Sequence, residues 1–133
     1  QVSVEATTSI ERRLTSIDNS NLKGVDLDNS FIKKSHFKNV NFEGASFKNA
    51  KIEFSVISNS KLCNITLKDT IIENSDFSNS NFEGAEISNI DFRTSILNGV
   101  DFSKSKLTFT RLSMDKLKEN KQRHFILDNK QFP

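Results

Sequence analysis

Large apolar residues recur along this chain at every fifth position. From Ile17 the series runs Leu22, Leu27, Ile32, Phe37, Phe42, Phe47, Ile52, Ile57 and Leu62, then Leu67, Ile72, Phe77, Phe82, Ile87, Phe92, Leu97, Phe102, Leu107 and Leu112. A small or β-branched residue stands two places before each of them, from Thr15, Ser20 and Val25 to Val100, Ser105 and Thr110. Asn or Gly is the commonest residue two places after, as at Asn19, Gly24, Asn29, Asn39 and Gly44. Such a double series is read before any single motif.

No straight element keeps every fifth side chain on one side. In a strand, residues five apart face opposite ways. In an α-helix, five residues leave successive positions about 140° apart. The chain must therefore turn at each unit. Asn and Gly supply the corner because they tolerate the left-handed backbone of tight turns. The result is a coil stacked on itself, an all-β solenoid.

The number of sides follows from an echo: NFEGASFKN at 41–49 returns as NFEGAEISN at 81–89. Forty residues are two coils of twenty, each with four five-residue sides. Sorted by twenties, the inward residues form layers. Ile17, Leu22, Leu27 and Ile32 are aliphatic; Phe37, Phe42, Phe47 and Ile52 are rich in rings. The next two layers repeat that alternation, so rings stack over smaller side chains. Sorting by fifteens blurs the pattern.

The units SNLKG, VDLDN, VNFEG, SDFSN, SNFEG and VDFSK, twenty in unbroken register, resemble the pentapeptide-repeat family, whose usual unit is A(D/N)LXX. The resemblance covers Thr15 to about Met114, some three quarters of the chain. It implies a right-handed quadrilateral β-helix of about five coils, with the large residue and the small one two before it inward and the other three outward. At ~4.8 Å between stacked strands, five coils make a rod roughly 24 Å long.

The ends of a solenoid need caps. Residues 1–14 are expected to form an N-terminal cap, with Thr8 and Glu11 at capping-box spacing before a short helical turn. Residues 15–114 form the β-helix. Residues 115–133 form a C-terminal helical cap or a linker to a following domain, with the helix over about 114–124. The apolar FIL at 125–127 is expected to fold over the last coil near Phe109. The first residue, Gln1, suits a mature form or an excised domain.

Charge narrows the functions. Residues 15–114 carry 12 basic and 12 acidic side chains, and the whole chain has a formal charge of +2. That excludes both a polyanion and a strongly basic nucleic-acid binder. No apolar run reaches the roughly 18 residues that span a bilayer. There is no signal pattern at the start of this sequence. The expected setting is cytoplasmic, or secreted into a host cell.

Chemistry is sparse. His36 and His124 have no partner at metal-ligand spacing, and no phosphate-binding Gly loop occurs, so no catalytic, metal or cofactor site is expected. Cys63 is the single cysteine; it lies outward with Glu43 one coil below and Glu83 one coil above. Flanking carboxylates raise a thiol pKa, the opposite of nucleophile activation. The sequon Asn64-Ile65-Thr66 is a chance match, because Ile65 belongs to the inward series.

What remains is surface. The apolar residues at outward positions are Phe31, Phe54, Val56, Ile71, Ile96 and Phe109. Folding the sequence onto four sides puts Phe31, Lys51 and Ile71 in one column, with Phe54 and Val56 at its edge. These five are the candidate partner-binding residues, for a protein partner or a second copy. Contact with a terminal cap is the competing explanation, and the simpler one for Phe109. The expected function is a non-enzymatic protein-interaction module. The resemblance adds two settings, the repeat domain of a larger bacterial secreted-effector-type protein and, as the alternative, DNA-mimic modulation of the topoisomerase gyrase. The balanced charge, the short rod and the absence of the loop insertions of gyrase-protecting members rank the alternative second.

Overall fold

The computed structural model describes residues 15–113 and the pair 126–127. Ten short strands follow one another: β1 (Thr15–Asp18), β2 (Phe31–Lys33), β3 (Ser35–Lys38), β4 (Lys51–Glu53), β5 (Val56–Ser58), β6 (Thr66–Lys68), β7 (Ile71–Glu73), β8 (Glu86–Ser88), β9 (Lys106–Thr108) and β10 (Ile126–Leu127). Every pairing is parallel and joins residues twenty apart, as in Thr15 with Ser35, Lys51 with Ile71 and Glu86 with Lys106. The chain is thus a four-sided parallel β-solenoid of about five turns. The described residues contain no helix.

The four sides are numbered in the order the chain visits them. Face 1 carries β1-β3-β5, face 3 carries β6-β8-β9-β10, and face 4 carries β2-β4-β7. Face 2 is stitched by single bridges, Asn21 to Asn41 to Lys61 to Asn81 to Asp101. The expected caps at 1–14 and over about 114–124 lie outside the described residues. Of the FIL segment, Ile126 aligns with Lys106 and Leu127 with Leu107, which carries the twenty-residue register one strand past the last full coil.

The five-residue register sets burial. The large inward residues from Leu27 to Leu112 are all buried, as are the small ones from Val25 to Thr110, while Ile17 and Leu22 in the first described coil are only partly buried. The ring layers form as the sorting predicts. Phe37, Phe42 and Phe47 lie in one layer with centroids 5.6 and 5.7 Å apart. Phe77, Phe82 and Phe92 form another, and Phe102 packs 5.3 Å above Phe82.

Corners take the left-handed backbone. Asn19, Asn39, Asn59 and Asn79 have φ between 50 and 60°, and the corner glycines reach 70–73°. Among the described corners Thr94 is the exception, as a β-branched residue should be; its hydroxyl instead accepts a hydrogen bond from the Asn74 N–H at 3.1 Å. The Asn ladder is seen at its first rung, where the Asn39 amide donates to Asn19 Oδ1 at 2.8 Å. Higher up, the Asn79 side chain lies over Gly99, and a Cβ there would sit 2.2 Å from its oxygen.

Two kinds of side occur, strands and turns, and hydrogen bonding accounts for seven of the turn sides; the turn sides of Ser46, Lys61 and Ile96 form without an Asn or Asp at that position. Asn or Asp stands just before the inward residue at Asn21, Asp26, Asn41, Asp76, Asn81, Asp91 and Asp101. In all seven the side-chain oxygen accepts the N–H two residues on, at 2.8–3.1 Å. All seven are turns, and none of β1–β9 carries Asn or Asp at that position. This is the Asx turn. It closes with a bond from the next small residue's N–H to the inward residue's carbonyl, as from Ala85 to Phe82 at 3.0 Å.

A strand side lacks that acceptor, and its following N–H needs another. Buried serines one coil up supply it on faces 1 and 2. Ser35, Ser55 and Ser75 donate their N–H to the Oγ of Ser55, Ser75 and Ser95 at 3.2–3.3 Å. Val40 and Ser60 donate likewise to Ser60 and Ser80 at 3.1 and 3.2 Å. The serines of the small series are therefore acceptors as well as space-savers.

Candidate partner-binding face

Face 4 and the corner leading to face 1 hold the candidate residues. Pairing of β2, β4 and β7 stacks Phe31, Lys51 and Ile71 in register, pointing outward. Ile71 is 51% exposed, whereas Phe31 is half-buried. The cause is Lys51, whose Nζ lies 5.6 Å from the Phe31 ring centroid and 3.6 Å from Glu53 Oε2. Lys51 thus lies back over the neighbouring ring, a cation–π contact.

Phe54 occupies the corner itself, 55% exposed, with φ +50°. A left-handed backbone is costly for a bulky residue, about 1–2 kcal/mol, and Asn fills many of the equivalent corners. Val56, half-buried on β5, follows around the corner, in a column with His36 below and Asp76 above. Ile96, 47% exposed, tops that column. The five candidates therefore adjoin one another, with Ile96 as an outlier on the same side. Phe109 is on a different corner, between faces 3 and 4, immediately after β9.

Stacking also separates charge in a way that the sequence total conceals. The coil below Phe54 presents Lys33, Lys34, His36 and Lys38 on this side. The coil above presents Glu73, Asn74 and Asp76. The strings FIKKSHFK and IIENSDF carry the signal, but only after alignment twenty residues at a time do they flank Phe54.

The rest of the surface offers little chemistry. Cys63 is part-buried on face 2, with its thiol pKa raised by burial first and then by Glu83 and Glu43; its Sγ contacts the Asn81 carbonyl at 3.8 Å. Asp91 is held below the usual carboxylate range, chiefly by the Arg93 hydrogen bond, at 2.8 Å between Nη2 and Oδ2. Among the described residues no group of three or more His, Cys, Asp or Glu could hold a metal, and no helix is long and apolar enough to cross a membrane. Ile65 is buried as its register requires.

Stacked four-sided coils around one apolar core, held by neighbour-to-neighbour ladders, define a solenoid repeat protein. The sequence profile of the pentapeptide repeats matches in eight copies over residues 20–59 and 55–99. The chain belongs to the pentapeptide-repeat family. Comparison with curated proteins finds none that matches. Among solved structures it is similar to the pentapeptide repeat protein Rfr23 from the cyanobacterium Cyanothece 51142, at 18% identity and TM-score 0.62, covering 88% of this chain and 83% of that one. That likeness shows the fold. Two others align less closely. QnrB1, a plasmid-mediated fluoroquinolone resistance protein, has 12% identity and TM-score 0.46 over 87% and 91% of the two chains. A pentapeptide repeat protein of the Arabidopsis thaliana thylakoid lumen has 18% identity and TM-score 0.43 over 83% and 75%.

Proposed function

We propose that this solenoid is a non-enzymatic protein-interaction module that docks its partner on the Phe31, Lys51, Ile71 column and the adjoining Phe54 and Val56. The observation that carries the reading is Phe54, a phenylalanine 55% exposed on a left-handed corner. Its position costs backbone strain and exposes a ring, and a partner that covers the ring offsets the second. The family resemblance adds the setting, the repeat part of a larger bacterial protein of secreted-effector type.

The double substitution Phe54→Ser with Ile71→Ser tests it. Both side chains point away from the coil, so thermal stability should stay within about 0.5 kcal/mol of the parent, as for surface changes, while docking is lost. Unfolding of the variant would make the two residues structural. A folded variant that still docks would put the partner elsewhere.

Gyrase modulation through DNA mimicry needs a dense negative surface. Here basic and acidic side chains balance, and on face 2 they interleave, with Lys23 4.0 Å from Glu43 and Lys104 3.9 Å from Glu83. The purified protein is expected to leave gyrase supercoiling, and its inhibition by quinolones, unchanged at micromolar concentration. Clear protection in that assay would promote topoisomerase modulation to the leading function.

A further inference from the structure

We propose that two chains associate side by side and antiparallel, about a two-fold axis that passes beside Phe54, perpendicular to the rods. The inference rests on the partner-face reading above and names the partner.

The argument is one of complementarity. On this side the outward residues sort by coil. The coil of Phe31 carries Lys33, Lys34, His36 and Lys38 and no acid. The coil of Phe54 carries Lys51 and Glu53, which pair with each other at 3.6 Å. The coil of Ile71 carries Glu73 and Asp76 and no base. The patch is thus positive at one end, apolar and neutral in the middle, and negative at the other, over roughly 10 Å along the rod.

A two-fold axis at the middle coil, lying in the interface, exchanges the two ends. Phe31 then meets Ile71 of the second copy, Lys33 and Lys34 meet its Glu73, and His36 meets its Asp76. Phe54 meets Phe54. Each contact occurs twice, as an isologous interface requires. The parallel arrangement instead sets each lysine pair against its own copy, and like charges face to face oppose association. Lys51, on the axis, is already engaged with Glu53 and the Phe31 ring, so its charge is partly spent within its own chain.

Charge reversal in separate chains tests the geometry, with the full chain in sedimentation over a concentration series. The parent should dimerise. Lys33→Glu with Lys34→Glu makes both ends negative; Glu73→Lys with Asp76→Lys makes both positive. Each variant alone should self-associate about tenfold more weakly or worse. An equimolar mixture should recover the parent's association, because opposite ends again meet. A monomeric parent, or a mixture no stronger than its components, overturns the antiparallel dimer. The Ser double variant separates this from failure of the partner-face reading. If the parent is monomeric and that variant melts normally, only the second copy is excluded. A dimer indifferent both to charge reversal and to loss of Phe54 and Ile71 uses another surface, and both readings fall.

Discussion

Phe82→Asp abolishes folding, while Glu83→Asp beside it changes almost nothing. Phe82 is fully buried, with ring centroids of Phe77, Phe92 and Phe102 at 5.7, 6.4 and 5.3 Å. Removing a buried phenylalanine costs about 3–5 kcal/mol. An unpaired carboxylate in its place adds several more or forces its own protonation. That sum reaches the whole stability of an ordinary domain, roughly 5–15 kcal/mol. A solenoid has no second core to retreat to, since each coil rests on its neighbours. Glu83 is outward, 3.9 Å from Lys104 with its side chain 45% exposed, and an exposed pair of that kind is worth about 0–1 kcal/mol. Its backbone bond to Asn81 Oδ1 survives the shortening. Thermal melts of the two variants decide the matter, and equal stability would refute the inward register.

Ser75→Ala is expected to cost about 1–3 kcal/mol, and Ser105→Ala less than about 1 kcal/mol. Both serines are buried members of the small series. Ser75 Oγ accepts the Ser55 N–H at 3.2 Å and donates to the Glu73 carbonyl at 3.0 Å. Alanine leaves the Ser55 N–H without that acceptor, and both residues are buried. Ser105 follows a turn. Its hydroxyl donates to the Phe102 carbonyl, which the Ser105 N–H also reaches at 3.0 Å, so that carbonyl keeps a partner. Ala45 and Ala85 already occupy the same column below it. Urea unfolding midpoints measure the difference. Equal losses would mean that these serines serve by size alone.

Much of the fold was legible because burial has a period that no straight element can satisfy. The series from Ile17 to Leu112 forces a turn every five residues, and the forty-residue echo sets the coil at twenty. Much of the division into turns and strands was present in the residues too, at Asn21, Asp76 and Asp101 against Phe31, Val56 and Glu86, though the turns at Ser46, Lys61 and Ile96 carry no such mark. It is invisible to a reading by size and polarity, because it depends on a side-chain oxygen reaching an N–H two residues on. The serines at 55, 75 and 95 were legible as small but not as acceptors. Their role needs the strand below them, which only stacking supplies. At the candidate face, the column of Phe31, Lys51 and Ile71 followed from the register. The fold of Lys51 over Phe31 and the separation of charge above and below Phe54 did not, for both are relations between coils.

The ladder that joins residues twenty apart also dictates how such a chain can change in length. Removal of a single five-residue side would carry every later side chain a quarter-turn round the rod, so that Ile71 would leave the side that bears Phe31. Removal of twenty residues would keep each face in place but seat the layer of Phe77, Phe82 and Phe92 directly on that of Phe37, Phe42 and Phe47, ring upon ring with no aliphatic layer between. A step of forty preserves the faces and the alternation of the core together. Length here is quantised twice, once by the surface and once by the interior, and the phrase NFEGA marks the larger quantum.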